Sequence, residues 1–470
     1  MQKAKKADQT VSSVKTNATT RLDRMPLTSW HIKILLILGG GLLLEGFTLS
    51  VAGAQLGTIG KILNLSTLAL LAITPAFLIG EMVGAVWLGH LADTHGRRLL
   101  FLISMAIIIV GDVLVGIFFL AKTLNYPTLL FLRALTGFGV GGEFGASIAA
   151  LQEFTPSKIR GFFTGTGNAV LYDLGTVLAS VVVLVLLSAL LPTTAVGVSF
   201  LIGVSLAITL LIARFGLPES PRYLLSKGRV REAEAIVGKV EKHTKKSLAP
   251  AKIITLNFNG SEKGGYKRMF TTYWKRLILA WTLNFTETWP YYSAFSVFAV
   301  IFVKVFSFPA SKVAFTLLLL TGGGVLGVFV MSYLMDVVGR RPIITLSYGA
   351  AGVLSIIIGL IVTRITLDAF IGLLVLLYFF IYAAAGVLYP QIGEMFPTKS
   401  RGSAMGTAIG FGRLGGIIAP FALAAYVGTV AGLLPVFVIT GVVILFGAIA
   451  EILLGPELKR KSLEESQLRQ

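Results

Sequence analysis

The feature that most constrains this chain is a series of apolar runs, about twelve of them, each roughly 20 residues or longer. As α-helix, such a run rises about 30 Å, the hydrocarbon thickness of a bilayer. A water-soluble core has no use for runs of that length. Of the 470 residues, 55% are hydrophobic and only 13% charged, against roughly 25% charged in soluble domains. The expected class is an all-α polytopic membrane protein.

The formal net charge of +19 would suggest a nucleic-acid partner in a soluble chain. Here the basic residues lie in loops and tails, so membrane topology accounts for them and no nucleic acid is expected. One set of loops holds Arg97-Arg98, Lys158, Arg160, Arg340-Arg341, Lys399 and Arg401. The opposite loops hold isolated charges such as Lys61, Lys122 and Lys304. The positive-inside rule therefore places both termini in the cytoplasm, with the plasma membrane as the expected site. The chain has no cysteine, which excludes thiol chemistry.

Five segments follow: a mobile cytoplasmic tail over 1–30, a first six-span bundle over 31–216, a polar linker over 217–275, a second bundle over 276–455 and a tail over 456–470. In the linker, Leu224, Leu225, Ala233, Ile236, Val237 and Val240 fall near one helical face. That pattern reads as a surface helix, solvated or lying on anionic lipid.

The chain repeats itself. "LADTHGRRLL", Leu91 to Leu100, returns as "LMDVVGRRPI", Leu334 to Ile343. "EFTPSKIRG", from Glu153, returns as "EMFPTKSRG", from Glu394, and "LPES", from Leu217, returns more loosely as "GPEL", from Gly455. Three echoes in register imply two homologous six-helix halves.

With "LRALTGFGVGGE" and "PESPRYLLSKGR", these motifs make the chain resemble the major facilitator superfamily of transporters over nearly its whole length. The resemblance implies twelve transmembrane helices in two bundles that rock around a central cavity. It also implies a small-molecule substrate, protons as a second cargo and a monomer in lipid. No cofactor or metal is expected.

The paired loops read as gate hardware at the cytoplasmic rim. Asp93 can accept hydrogen bonds from a facing helix N-terminus, and Arg97 and Arg98 can pair with carboxylates such as Glu153. Gly96 supplies the turn. Arg160 belongs to the same set, as do the second-half counterparts Asp336, Gly339, Arg340, Arg341, Glu394 and Arg401. Plain positive-inside anchoring would explain the arginines but not the acid or its spacing.

Charges at bilayer depth are costly and point to function by default. Glu45, Glu81, Asp112, Asp173, Glu287 and Arg413 fall near mid-span, with Arg133 and Glu143 toward opposite ends of the fourth. A lone buried carboxyl favours its neutral form, so acids of this kind can carry a proton. Arg413 can pair with Glu287 or another acid, or clamp an anionic substrate bidentately. Arg133 can pair with Glu45 or Asp112. In "NFTETWPYYSAF", Asn284, Glu287 and Tyr291 share a helical face, and Pro290 predicts a kink beside them. Tyr378, Tyr382 and Tyr389 form a similar stripe, cavity wall or core, and Asn168, Tyr172 and Gln391 are further candidates.

Two branches of the superfamily compete. "PESPRYLL" is similar to the sugar porters, but "NFTETWPYY" replaces their usual Gln-Gln-x-Ser-Gly in the seventh span. The proton-coupled metabolite, aromatic-acid and phosphate symporters typically have Asp-x-x-Asp in the first span, where this chain has Glu45 and Thr48. Their acid after Gly-Gly is matched by Glu143 and their Gly-rich basic residue by Arg413. That resemblance implies proton transfer through Glu45 and Glu143, with Asp112 as a further carrier, and Asp173 is a candidate carrier from its depth in the span. The same resemblance implies anion contact through Arg413; Glu287, Asn284, Tyr291, Arg133 and Tyr382, from their places in the spans, are further candidate contacts. The preferred expectation is a proton-coupled carrier of a small organic or inorganic anion, with a sugar symporter second. An enzyme is disfavoured, because His31, His90, His95 and His243 have no metal spacing. A non-transporting sensor lacks its long signalling tail.

Overall fold

The computed structural model describes residues 13–66, 69–70, 72–244, 251, 253–257, 266–308, 310–426 and 429–459. The first half contains the membrane-length helices α2 (Ser29–Ala54), α4 (Ile73–His95), α5 (Arg97–Leu120), α6 (Tyr126–Phe154), α7 (Arg160–Ala189) and α8 (Pro192–Phe215), with a short α3 (Leu56–Ile62) after α2. The second half contains α12 (Trp274–Lys304), α13 (Ala310–Val337), α14 (Arg340–Ile361), α15 (Leu367–Met395), α16 (Thr398–Leu423) and α17 (Leu433–Leu454). Among the described residues, 11 of these are long and apolar enough to cross a membrane; α12 fills the remaining position of the repeat. Trp87, Leu184 and Leu453, each more than 70% exposed, mark surfaces that suit lipid rather than water.

The helix boundaries have local causes. Asn125 caps α6 by accepting from the Thr128 amide at 3.0 Å, with Pro127 in the first turn. Gly96 and Gly339 separate α4 from α5 and α13 from α14 with φ values of 101° and 144°. L-residues with a side chain avoid that region, so the glycine in each Gly-Arg-Arg motif is a conformational requirement. The halves meet along two seams, α4 against α16 and α7 against α13 and α15. Small residues allow the first approach: Gly89 and Gly406 leave no room for a Cβ against the opposing backbone.

The 1–30 segment was expected to be a mobile tail, but from Ser13 onward it is folded. β1 (Ser13–Thr16) pairs antiparallel with β2 (Ile254–Asn257) of the linker, Ser13 opposite Asn257. α1 (Ala18–Arg24) then packs Ala18 and Leu22 onto Leu224 and Leu225 of α9 (Pro221–Ser226) and Val237 of α10 (Val230–Glu241). The linker's apolar face is thus covered by the chain's own N-terminal segment, not by solvent or lipid. Arg21 anchors it further through an ion pair with Glu241. A short α11 (Tyr266–Thr271) leads into α12. Residues 1–12 and 460–470, parts of the two expected tails, lie outside the described residues.

Candidate functional site

At one end of the molecule, the duplicated loops form two matching networks. In the first, the Asp93 carboxylate accepts from the Gly402 amide at 2.9 Å, the Ser403 amide at 2.6 Å and the Ser403 hydroxyl at 2.8 Å. It sits beside the second turn of α16, near the end of the helix whose dipole favours an anion. Arg97 bridges Asp93 at 2.7 Å and Glu153 at 3.1 Å, and Arg401 from the other half reaches Glu153 at 2.8 Å. In the second, Asp336 accepts from the Gly161 and Phe162 amides of α7 at 3.2 and 2.8 Å. Arg340 joins Asp336 at 2.8 Å and Glu394 at 2.9 Å, and Arg160 stands 3.8 Å from Glu394. Both networks are almost fully buried and both cross between the halves.

The third echo has a separate task. Glu219 of "LPES" accepts from the Arg97 and Arg98 amides at 3.3 and 3.4 Å, capping α5. Glu457 of "GPEL" accepts from the Arg340 and Arg341 amides at 3.0 and 3.2 Å, capping α14. The second arginines turn away from the seam: Arg98 donates to the Phe215 carbonyl at 3.2 Å, and Arg341 donates to that of Ile452. Neither capping acid was read from the sequence as a site residue, although the repeat pointed to both. Asp23 was also missed. It receives Arg160 at 2.6 Å and Arg222 at 2.8 Å, and nothing in its sequence surroundings marks it.

Deeper in the bundle is a cavity of about 420 Å³, its open part included. Its polar wall is Glu45, Asn168, Glu287 and Arg413; its aromatic wall is Phe144, Tyr172, Tyr291, Tyr292, Tyr382 and Tyr389. Arg413 lies 5.3 Å from the ring centroids of both Phe144 and Tyr292, and Tyr291 lies tilted against Tyr382 at 5.0 Å and edge-on to Tyr172 at 6.2 Å. The Arg413 guanidinium, 2% exposed, donates to Glu45 at 3.0 Å and also pairs with Glu81. Glu45 and Glu81 come from the first half and Arg413 from the second, so this triad also joins the halves. Sequence reading had placed Glu81 only as a mid-span acid. Its position at the triad required knowing that α4 packs on α16.

The remaining candidates are distributed away from the cavity. Arg133, expected to contact substrate, lies outside its lining; of its two expected partners it stands 3.8 Å from Asp112 and donates to the Thr48 carbonyl at 3.1 Å. Thr136 donates to the same Asp112 carboxylate at 3.0 Å. Asn284 also lies off the lining: its amide bonds back to Ala280 at 3.2 Å, and its Cβ abuts Gly412 of α16. Asn284 is one turn before Glu287 but offset by about 60° around the axis, which is enough to carry it into the α12–α16 contact. Glu143 is held by Arg214, with Ser147 at 2.7 Å and Ser104 at 2.9 Å. Asp173 is 7% exposed, with Oδ2 buried and no partner among the described residues. α12 remains helical through Pro290, in place of a clear interruption. In α15, the Gln152 amide crosses the seam to donate to the Tyr389 and Pro390 carbonyls at 2.9 and 3.1 Å.

Two helical bundles around one central cavity, joined by repeated buried networks, define a membrane transporter of the major facilitator class. The family described as "Sugar (and other) transporter" matches residues 3–468, and the chain belongs to it. The niacin transporter NiaP of Acinetobacter baylyi is 25% identical, covering 95% of this chain and 98% of its own. The inner membrane metabolite transport protein YdjE of Escherichia coli is 28% identical, covering 95% and 97%. Among solved structures, the proton:xylose symporter XylE superposes with a TM-score of 0.78 at 19% identity, over 93% of this chain and 98% of that one. That level of identity speaks for the fold alone. The protein is an integral membrane transporter, not an enzyme.

Proposed function

We propose that this transporter moves a small organic or inorganic anion together with protons, with both termini in the cytoplasm of a plasma membrane. The observation that supports this most is Arg413, one buried guanidinium at the cavity wall shared between Glu45 and Glu81. An arginine stays charged, so only the acids can change state. A proton on Glu45 cancels its claim on Arg413 and leaves a guanidinium edge for an anionic substrate; loss of that proton draws Arg413 back. Substrate and proton are then taken up together because each favours the other. The Asp93 and Asp336 networks hold the cytoplasmic side shut while the cavity faces outward, and they part when the halves rock. A relative named for niacin, itself a carboxylate-bearing small molecule, is consistent with this reading.

The test is uptake into proteoliposomes under an imposed inward proton gradient, over a panel of carboxylates, phosphate and sugars. Gradient-driven uptake of an anion, lost in Arg413→Ala, is the expected result. Sugar-only uptake that persists in Arg413→Ala overturns the proposal in favour of a sugar symporter. Saturable binding with no uptake in any direction would point instead to a sensor.

A further inference from the structure

Glu287 has no place in the exchange between Glu45, Glu81 and Arg413, yet it lines the same cavity. It is 4% exposed, and its Oε2 is buried without a hydrogen-bond partner among the described residues. Of the hydroxyls around it, Tyr348 donates to the Leu283 carbonyl at 2.9 Å, Thr286 and Thr288 donate back along α12 to the Thr282 and Asn284 carbonyls at 2.8 and 3.0 Å, and Tyr389 lines the cavity with it. Arg413, the cation on the cavity wall, already faces two other carboxylates. A buried acceptor left this way costs free energy that an occupant of the cavity can recover. A substrate that is only an anion cannot supply this. It would meet Arg413 favourably but leave the buried Oε2 of Glu287 without a donor.

We infer that the substrate is an anion that also carries a strong hydrogen-bond donor, either a cationic nitrogen or a hydroxyl. Its anionic end takes the guanidinium edge of Arg413 and its donor end the buried Oε2 of Glu287. The aromatic wall suits the second half of this assignment. Tyr291 and Tyr382, their centroids 5.0 Å apart, belong to that wall, and an aromatic ring attracts a cation at its face. The two polar groups therefore sort substrates by opposite features, and a donor-free anion of the same size is discriminated against. A site built to bond a donor rejects the analogue that lacks it more strongly than an apolar pocket rejects a missing methylene. The inference rests on the anion reading above and gives it a second recognition element.

The experiment measures dissociation constants of the purified full-length protein in nanodiscs by intrinsic tryptophan fluorescence. The probes are benzoate, the 3- and 4-hydroxybenzoates, and the 3- and 4-(aminomethyl)benzoates, which share a ring and a carboxylate and differ in the donor. In the unsubstituted protein, at least one donor-bearing probe should bind on the order of tenfold or more tighter than benzoate. In Glu287→Gln, the ratio of donor-bearing to donor-free affinity should fall toward one, whatever happens to the absolute values. Monodisperse elution of that variant establishes that it is folded. Equal binding of benzoate and all donor-bearing probes overturns the inference, and so does a ratio unchanged in Glu287→Gln. Arg413→Gln separates the two readings. Carboxylate binding that is lost in this variant keeps the anion reading even when the donor preference fails. Affinities that do not respond to Arg413→Gln, or no binding of any carboxylate, remove both.

Discussion

Arg413 and its two acids set the expectations at the scale of single residues. Removing the arginine leaves Glu45 and Glu81 buried together without a counter-ion, so Arg413→Ala should abolish coupled uptake and lower stability by about 3–5 kcal/mol. A thermal melt beside the uptake assay reads both effects. Glu45→Gln behaves differently, because the amide imitates the protonated acid. It should retain substrate exchange across the membrane while losing stimulation by an imposed pH gradient. Exchange and gradient-driven uptake that fall together would remove Glu45 from the coupling role. The sequence made these acids visible, because charge in an apolar run is conspicuous. It could not assign their partners. Arg413 had Glu287 as its named candidate, and the structure gives it Glu45 and Glu81, since pairing depends on which helices cross and not on depth along a span. Arg133 and Asn284 show the same limit: both are polar residues within spans, and both are turned into helix contacts away from the cavity.

Helices and loops carry their own expectations. Gly96 adopts a φ of 101°, and a Cβ there would come 2.7 Å from Glu219 Oε2. Gly96→Ala should therefore strain the turn and disturb the cap on α5, at a cost of about 1–3 kcal/mol, measurable as a lower melting temperature. The same change at Gly228, also at positive φ but with open space around its Cβ, carries the strain without the collision and should cost less. Helix identity was legible in the run lengths, and the two-half architecture in the three echoes. The folded N-terminal segment was not. Residues 13–24 are mostly polar, and only their pairing with a strand more than two hundred residues away gives them structure. Short strands and short helices of this kind leave no periodic signal long enough to read. The linker's apolar face was legible, but its cover was assigned to solvent or lipid because no helix nearby in sequence offered one.

For the whole molecule, the central expectation concerns turnover. Asp93→Ala removes the acceptor shared by the Gly402 and Ser403 amides near the start of α16, so the closed state of that rim loses stability relative to the open one. Turnover should fall while substrate affinity at the distant cavity stays close to the original value, as read from initial rates and equilibrium binding on one preparation. Unchanged turnover would sink the latch. Asp336→Ala should act in the same direction through α7. The second seam differs in one respect: Arg160 is also held by Asp23 of the N-terminal segment, whereas its counterpart Arg401 has Glu153. Asp23→Asn is therefore expected to affect the α7 seam more than the α4 seam.

The capping glutamates have a mechanical consequence. Glu219 and Glu457 fasten the end of each half to the start of its own third helix, while Asp93 and Asp336 fasten one half to the other. Stiffness is thus built into each half, and compliance is concentrated in two short seams. Deuterium labelling can see this division amide by amide. During cycling, the Gly402–Ser403 and Gly161–Phe162 amides should exchange as the rim parts, while those of Arg97 and Arg340, a few ångströms away along the same motifs, remain shielded. The repeated loop then works like a buckle beside a zip: one bond keeps each bundle whole so that the other can open.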